Sequence, residues 1–445
     1  MLGRFIIITM TRNERFLRNG RTFSSWGKLN SLLTKVRDVL NSSAHSIQTR
    51  MPKINSSTMA SIVALLGIFG TNYSTIKNVA VDIYSLQVFL RYSIKNTLAN
   101  TKAVDELKAK GKYIKRNAAE NQISAILQRT EGDGVYYVIY GAKGVGKTTV
   151  VNSAISGHYG VLKIEVTPDD TYATMIKKLA FVTGTTGIDP SFDAFKNALL
   201  ESKSTRAGLE GSLPTLIIEV DRSEGVEQAS ALRTIGSFAK RLSDVCNCII
   251  VLSEANAILE FGVKDPRRVV IYIEELSFDE AKEYIKMRNV NLTDAEFTKM
   301  IDKIGANPAV LNKLKRWIVA GNSLDKFIEI TLRGANIQLV EFQHQQILKA
   351  LKDHPEGVSP VYFGKLKNEG VDLSNPTQVG VAMKDVNCIV FRMELGKYMM
   401  LSKAHEVALR DYNPIMPEII NTAVVQQLRN DIEKLKSRKW WNFFF

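Results

Sequence analysis

The stretch that most constrains this chain is GVYYVIYGAKGVGKTTVV, residues 134–151. The apolar run 135–140 has the length and the β-branched and aromatic content of a buried strand. It meets a turn carrying Gly141, Gly144 and Gly146, after which Lys147, Thr148 and Thr149 open a segment of helical character. Strand, glycine turn and helix, with the spacing Gly-x-x-x-x-Gly-Lys-Thr, predict a backbone that curls until successive amides point inward. The positive end of the helix adds to them. Gly141, Lys143, Gly144, Val145, Gly146, Lys147, Thr148 and Thr149 are then expected to hold the phosphates of a nucleoside triphosphate. Lys147 would supply a full charge to the β- and γ-phosphates, and the Thr148 hydroxyl a ligand to Mg²⁺. ATP and Mg²⁺ are the cofactors this implies.

Four further apolar runs follow at 161–166, 215–220, 248–253 and 269–273. Helical segments lie between them, the clearest at 226–242, where Ala229, Leu232, Ile235, Phe238, Ala239 and Leu242 share one face. Five strands alternating with helices predict an α/β domain over 101–275, a parallel sheet with helices on both faces. The chemistry also needs a carboxylate at the end of a strand beside the first, to hold Mg²⁺ and polarise the attacking water. PTLIIEVDR, residues 214–222, is the run with acids at its end. Glu219 takes the metal-side place directly after the apolar run, or Asp221 takes it after an extension. We prefer Glu219, with Asp221 or Glu224 near the water. Neither placement gives an adjacent Asp-Glu pair, so slow hydrolysis is expected.

The pattern then changes. SFDE at 277–280 and TDAE at 293–296 are capping-box starts, and Pro308 and Ser323 begin two more helices, which predicts a helical lid over 276–336. Residues 337–412 read as three helices, then strands 388–393 and 398–402 joined across ELGK, then a closing helix. That is the outline of a winged helix domain. Its recognition helix, expected at 377–386, offers Gln378 and Lys384, with Asp385 cancelling the charge. A helix that reads base edges brings more Arg, Lys or Asn. Docking on protein, including self-association or an intramolecular surface, is therefore favoured over DNA, although Lys365 and Lys367 keep DNA open. Residues 413–445 form a closing helix and an aromatic tail.

The chain has 445 residues and a net charge of +14, and its first 53 residues hold ten basic side chains against Glu14 and Asp38. Such an arm is either a mitochondrial import presequence, with an Arg-x-Phe-Ser cleavage site at 21–25, or a solvated basic extension of a cytoplasmic or nuclear protein. Residues 54–100 form an apolar helical segment. Its uncharged stretch 54–76 is long enough to cross a bilayer, but only 59–70 is strongly apolar, which favours a buried or interfacial helix. Cys246, Cys248 and Cys388 are too few for a disulfide framework, and the first two read as buried core thiols.

Taken in order, these segments resemble the P-loop ATPases of the AAA+ and STAND type, including archaeal ATPases and origin-recognition-like proteins. The similarity to the NTPase modules of crinkler-type proteins is weaker. YIKRNAAENQISAIL at 113–127 resembles the segment those families place near the adenine, with Arg116 in it. CIIVLSEAN at 248–256 resembles the sensor strand, with Ser253 reading the γ-phosphate. DPRRVVIYIEELSFDEAKEYI at 265–285 resembles the passage into the lid, with Arg267 and Arg268 as γ-phosphate arginines. GANPAVL at 305–311 resembles the Gly-x-Pro element that lays Pro308 against the base. The resemblance implies a nucleotide-dependent switch that takes ATP or ADP. A nucleic-acid-binding module with a structural nucleotide is the competing expectation. A small-molecule kinase is disfavoured, because residues 277–335 read as a helical bundle rather than a basic lid.

Overall fold

The computed structural model describes residues 101–411 apart from 103, 111, 157, 159, 168–169, 184–195, 197–198, 200–212, 221–227, 262–264 and 383–387. The expectations placed on the basic arm, the apolar segment 54–76, Asp221, Glu224, Lys384, Asp385 and the aromatic tail lie outside the described residues. Among the described residues no helix is long and apolar enough to cross a membrane.

Helix α1 (Asn117–Leu127) precedes strand β1 (Tyr136–Tyr140), and α2 (Lys147–Ala154) follows the glycine turn. Then come β2 (Val161–Val166), α3 (Tyr172–Thr183), β3 (Thr215–Val220), α4 (Gln228–Leu242), β4 (Asn247–Leu252), a 3₁₀ helix (Asn256–Phe261) and β5 (Arg268–Tyr272). The five strands form one parallel sheet in the order β2-β3-β4-β1-β5. Every residue of β1 and β4 is buried. A sheet covered on both faces needs such unbroken apolar runs, because neither side of the pleat meets water.

The two faces can be read off alternate residues. Tyr136, Val138 and Tyr140 of β1 pack with Leu216, Ile218, Ile250 and Leu252 against Leu232, Ile235 and Phe238 of α4. Tyr137 and Ile139 pack on the other face with Ile217, Ile249 and Val251 against Ile123 and Ile126 of α1 and Val150 and Val151 of α2. The order corrects one expectation. The strand bearing Glu219 is not beside β1, because β4 lies between them.

Helices α5 (Phe278–Met287), α6 (Asp294–Ile304), α7 (Pro308–Val319) and α8 (Leu324–Glu341) follow. Both capping boxes form as read: Ser277 with Glu280 and Thr293 with Glu296 satisfy each other's backbone amides. The Asn307 side chain caps α7, with Pro308 at its first position, where the missing N–H costs nothing.

Residues 345–411 give α9 (Gln345–Asp353), a 3₁₀ turn (Pro360–Phe363), a short hairpin of β6 (Lys367–Asn368) and β7 (Val371–Asp372), α10 (Pro376–Ala382), the hairpin β8 (Ile389–Arg392) and β9 (Lys397–Met400), and α11 (Lys403–Asp411). The middle one of the three expected helices is thus a single 3₁₀ turn followed by a small hairpin. Pro360 allows a turn to start, and Gly364 and Gly370 adopt positive φ and stop it from propagating.

Candidate functional site

The phosphate turn is a product of where β1 ends. Gly146 takes φ 91°, ψ 24°, a left-handed conformation that L side chains resist, and from there α2 starts without any side-chain cap on its first amides. Those amides are the donors a phosphate would take.

Lys147 is buried and donates from Nζ to the carbonyls of Gly141, Ala142 and Ser253, each at 2.9 Å. Burial pushes its pKa down to about 8. Ser253, directly after β4, also ties its own amide to Val220 O at 3.2 Å, so the turn, β3 and β4 meet at one point. Thr148 donates its hydroxyl to Glu219 Oε1. The strand order keeps β3 away from β1, yet α2 crosses the sheet far enough to bring Thr148 over Glu219. A hydroxyl and a carboxylate from neighbouring elements are the few protein ligands that Mg²⁺ takes when phosphate and water supply the rest.

Sequence reasoning missed the fourth member of this group. Lys163, in the middle of β2, lies 2.6 Å from Glu219 Oε2 and donates to Asn152 Oδ1 of α2 at 3.3 Å. The signal was legible as a lysine inside the otherwise apolar stretch VLKIEV.

Arg116 ties two backbone segments together. It donates from Nη1 to Val145 O at 2.9 Å and from Nη2 to Glu274 O at 2.7 Å and Glu275 O at 3.1 Å. It thereby staples the phosphate turn to the link between β5 and the lid. Its neighbour Glu120 is buried and accepts from the Tyr113 hydroxyl, the Arg116 amide at 2.8 Å and the Ser153 hydroxyl at 2.8 Å.

The lid is seated on the same turn. Asn307 Nδ2 donates to Lys143 O at 3.0 Å, and a Cβ on Gly144 would lie 2.5 Å from Ala309 Cβ. Pro308, between those two contacts, is therefore brought to the phosphate turn. Just upstream, the half-buried Glu275 accepts from Ala306 N at 2.8 Å, pinning the link to the loop before α7. Lys143 and Thr148 present exposed side chains, and Thr149 is half-buried in the first turn of α2.

Arg267 and Arg268 are not brought to the turn. Arg268 is level with Tyr136 at the start of β1, whereas the turn follows Tyr140. At ~3.3 Å per residue the strand puts them roughly 13 Å from it. Arg267 is exposed there, and Arg268 reaches Met393 Sδ at 3.3 Å. The parallel register dictates this: a residue opening β5 must lie at the N-terminal edge of the sheet, while phosphates bind at the C-terminal edge. The expectation that these arginines read the γ-phosphate of their own chain is corrected.

A parallel sheet ordered 2-3-4-1-5, a glycine turn after β1 and a helical lid on that turn decide the fold. It is a P-loop NTPase fold. No family model matches the sequence, and no curated protein matches it. Among solved structures, the chain is similar to a Walker-type ATPase of Pyrococcus abyssi at 12% identity and TM-score 0.41, over 67% of this chain and 96% of that one. It is also similar to a STAND protein with a tetratricopeptide repeat sensor from Pyrococcus horikoshii, at 17% identity and TM-score 0.31, over 72% of this chain and 45% of that one. AMPPCP-bound DnaA from Aquifex aeolicus is similar at 18% identity and TM-score 0.31, over 73% of this chain and 89% of that one.

In this fold the hairpin β8–β9 docks on the sheet next to the site. The Tyr140 hydroxyl, one residue before the phosphate turn, donates to Glu394 Oε2 and accepts from Met393 N at 2.9 Å. Arg392 lies 3.6 Å over the Tyr272 ring, pairs with Glu394 and reaches Glu274 Oε1 at 3.2 Å. Beside it, Asn256 Nδ2 donates to Ile389 O at 2.9 Å, and a Cβ on Gly380 of α10 would lie 2.3 Å from Leu259 Cδ1.

Proposed function

We propose that the chain is an ATP-binding P-loop NTPase that works as a nucleotide-dependent switch with slow hydrolysis. The observation that carries this reading is the docking of the β8–β9 hairpin on Tyr140, Tyr272 and Glu274. It joins the C-terminal part to the phosphate turn by a short path: Arg392, paired with Glu394, donates to Glu274 Oε1, and Arg116 donates to Glu274 O and to Val145 O. A nucleotide that draws Lys147 and the turn amides onto its phosphates alters the backbone that Arg116 and Asn307 hold. Lid and hairpin then have different affinities for the two nucleotide states, which is what a switch requires.

Thr148 and Glu219 are the protein groups placed to meet Mg²⁺, which would supply charge neutralisation to the phosphates, and Lys163, paired with Glu219, already brings a positive charge to the same place. Lys147 binds the β- and γ-phosphates, Ser253 fixes Lys147 through its carbonyl, and Asn307 with Pro308 closes over the turn. The close seating of α10 on the 3₁₀ helix favours an intramolecular role for that helix over reading DNA.

Hydrogen exchange on the full-length chain tests the switch. Amides of 345–411 should exchange about 5–150-fold more slowly with ATP than with ADP, the range of ordinary coupling between sites. Lys147→Ala should remove the difference, and Glu219→Gln should keep nucleotide while losing residual hydrolysis. Equal exchange in the two states, together with tight duplex DNA binding that weakens steeply with salt, would replace the switch by a nucleic-acid module.

A further inference from the structure

We infer that Lys163 is a built-in counter-ion to Glu219 that stands in for divalent metal, so that this chain takes nucleotide with little dependence on Mg²⁺. The inference rests on the nucleotide-binding reading above and concerns the same site.

The lysine is in an unusual place. Its residue is only 7% exposed, between Leu162 and Ile164, which are both buried. Lysine is almost never buried to that degree without a partner, because the ammonium loses its hydration. Here the partner is the acid that the phosphate chemistry reserves for metal. Both Glu219 oxygens are engaged, Oε1 by the Thr148 hydroxyl and Oε2 by Lys163 Nζ at 2.6 Å. The second bond of Nζ goes to Asn152, one helical turn beyond Thr148 on α2. The cation is thus gripped by the phosphate helix as well as by the carboxylate.

Joining β2 to β3 does not explain the pair. The two strands already pair in register over six residues, from Val161 with Thr215 to Val166 with Val220. A well-packed apolar side chain at 163 would serve the sheet as well or better, since buried ion pairs seldom add net stability over apolar substitutes. What the pair does accomplish is electrostatic. With Lys163 beside it, Glu219 presents a neutral pair rather than a free negative charge, and a divalent cation gains little by approaching. Removing the lysine leaves a buried carboxylate uncompensated, and a metal bound next to the phosphates becomes the available counter-charge.

The test is a titration of the full-length chain with a fluorescent ADP or ATP analogue in excess EDTA and again in Mg²⁺. Wild-type affinity should differ by less than about fivefold between the two, whereas Lys163→Met should bind at least tenfold more tightly with Mg²⁺ than without. Lys163→Arg, which keeps the charge, should restore wild-type behaviour. In thermal unfolding without nucleotide, Mg²⁺ should raise the midpoint of Lys163→Met and leave the wild type unchanged. If Lys163→Met does not fold, Lys163→Gln answers the same question, because it removes the charge while keeping a hydrogen-bonding side chain and should also bind more tightly with Mg²⁺ than without. A wild type that needs Mg²⁺ as strongly as Lys163→Met, or an uncharged variant at 163 that stays indifferent to Mg²⁺, overturns the inference and leaves nucleotide binding standing. No binding with or without metal overturns both.

Discussion

Replacing Arg392 by alanine should release the β8–β9 hairpin without unfolding the sheet. The guanidinium lies 3.6 Å over the Tyr272 ring and its side chain is 15% exposed, so the cation–π contact is largely desolvated and worth about 1–2 kcal/mol. The charge-assisted bond to Glu394 adds about 1.5–3 kcal/mol. Glu274 is 69% exposed, and after screening its pair with Arg392 contributes no more than ~0.5 kcal/mol. These groups share one network and do not add fully, which leaves about 2–4 kcal/mol for the substitution. Hydrogen exchange of the full-length variant reads this directly, because local opening exchanges amides independently of global unfolding. Amides of β8, β9 and α10 should exchange roughly 30–1000-fold faster than in wild type, while β3 and β4 keep their protection. Leu395→Ala, in the same turn but exposed, should leave exchange unaltered. Unchanged protection in the hairpin, or uniform acceleration throughout the chain, would refute docking through Arg392.

Three further outcomes concern the site. Burial lowers Lys147 to about 8, so the ligand-free protein carries this charge below pH 8 and loses it above. Bound phosphates raise its pKa, the complex then holds the proton that the free protein has lost, and affinity should fall about tenfold per pH unit above pH 8, with Lys147→Met flat over that window. By the same linkage, between about pH 8 and the ordinary value of 10.5 the unfolded chain holds the proton that the fold has released, so ligand-free stability should rise there. Gly144→Val meets both a φ of +83° and Ala309 Cβ at 2.5 Å, and calorimetry should find it destabilised by about 2–4 kcal/mol with weakened nucleotide binding. An unchanged melting curve would mean that α7 does not rest on the turn in solution.

The parts of the fold that came through in the sequence are those governed by local rules. Strand runs at 161–166 and 215–220 match the elements residue for residue, because a short run rich in Val, Ile and Leu between turn segments suffices to mark a largely buried strand. The capping boxes at Ser277 and Thr293 form because four adjacent residues suffice to build them. What stayed hidden depends on residues far apart in the chain. Nothing local marks Arg116 as the staple between the phosphate turn and Glu274, since its partners come 29 and 158 residues later. Arg267 and Arg268 were misplaced because a one-dimensional pattern does not say which edge of the sheet a flanking residue occupies. The middle helix expected within 342–412 failed for a local reason that was visible, the Pro360 and glycine punctuation.

The contact between Tyr140 and Met393 spans 253 residues. During synthesis at about 5–20 residues per second, the Tyr140 hydroxyl leaves the ribosome about 10–50 s before its partner exists. For that interval the nascent sheet displays a polar group beside the phosphate turn, with Tyr272 uncovered once β5 has emerged. Loop closure over so long a span is slow and comes last, so the phosphate turn is complete in the growing chain well before the hairpin can dock. A nucleotide present in the cell can therefore occupy the half-made protein first, and the C-terminal hairpin closes onto a site whose ligand has already been chosen.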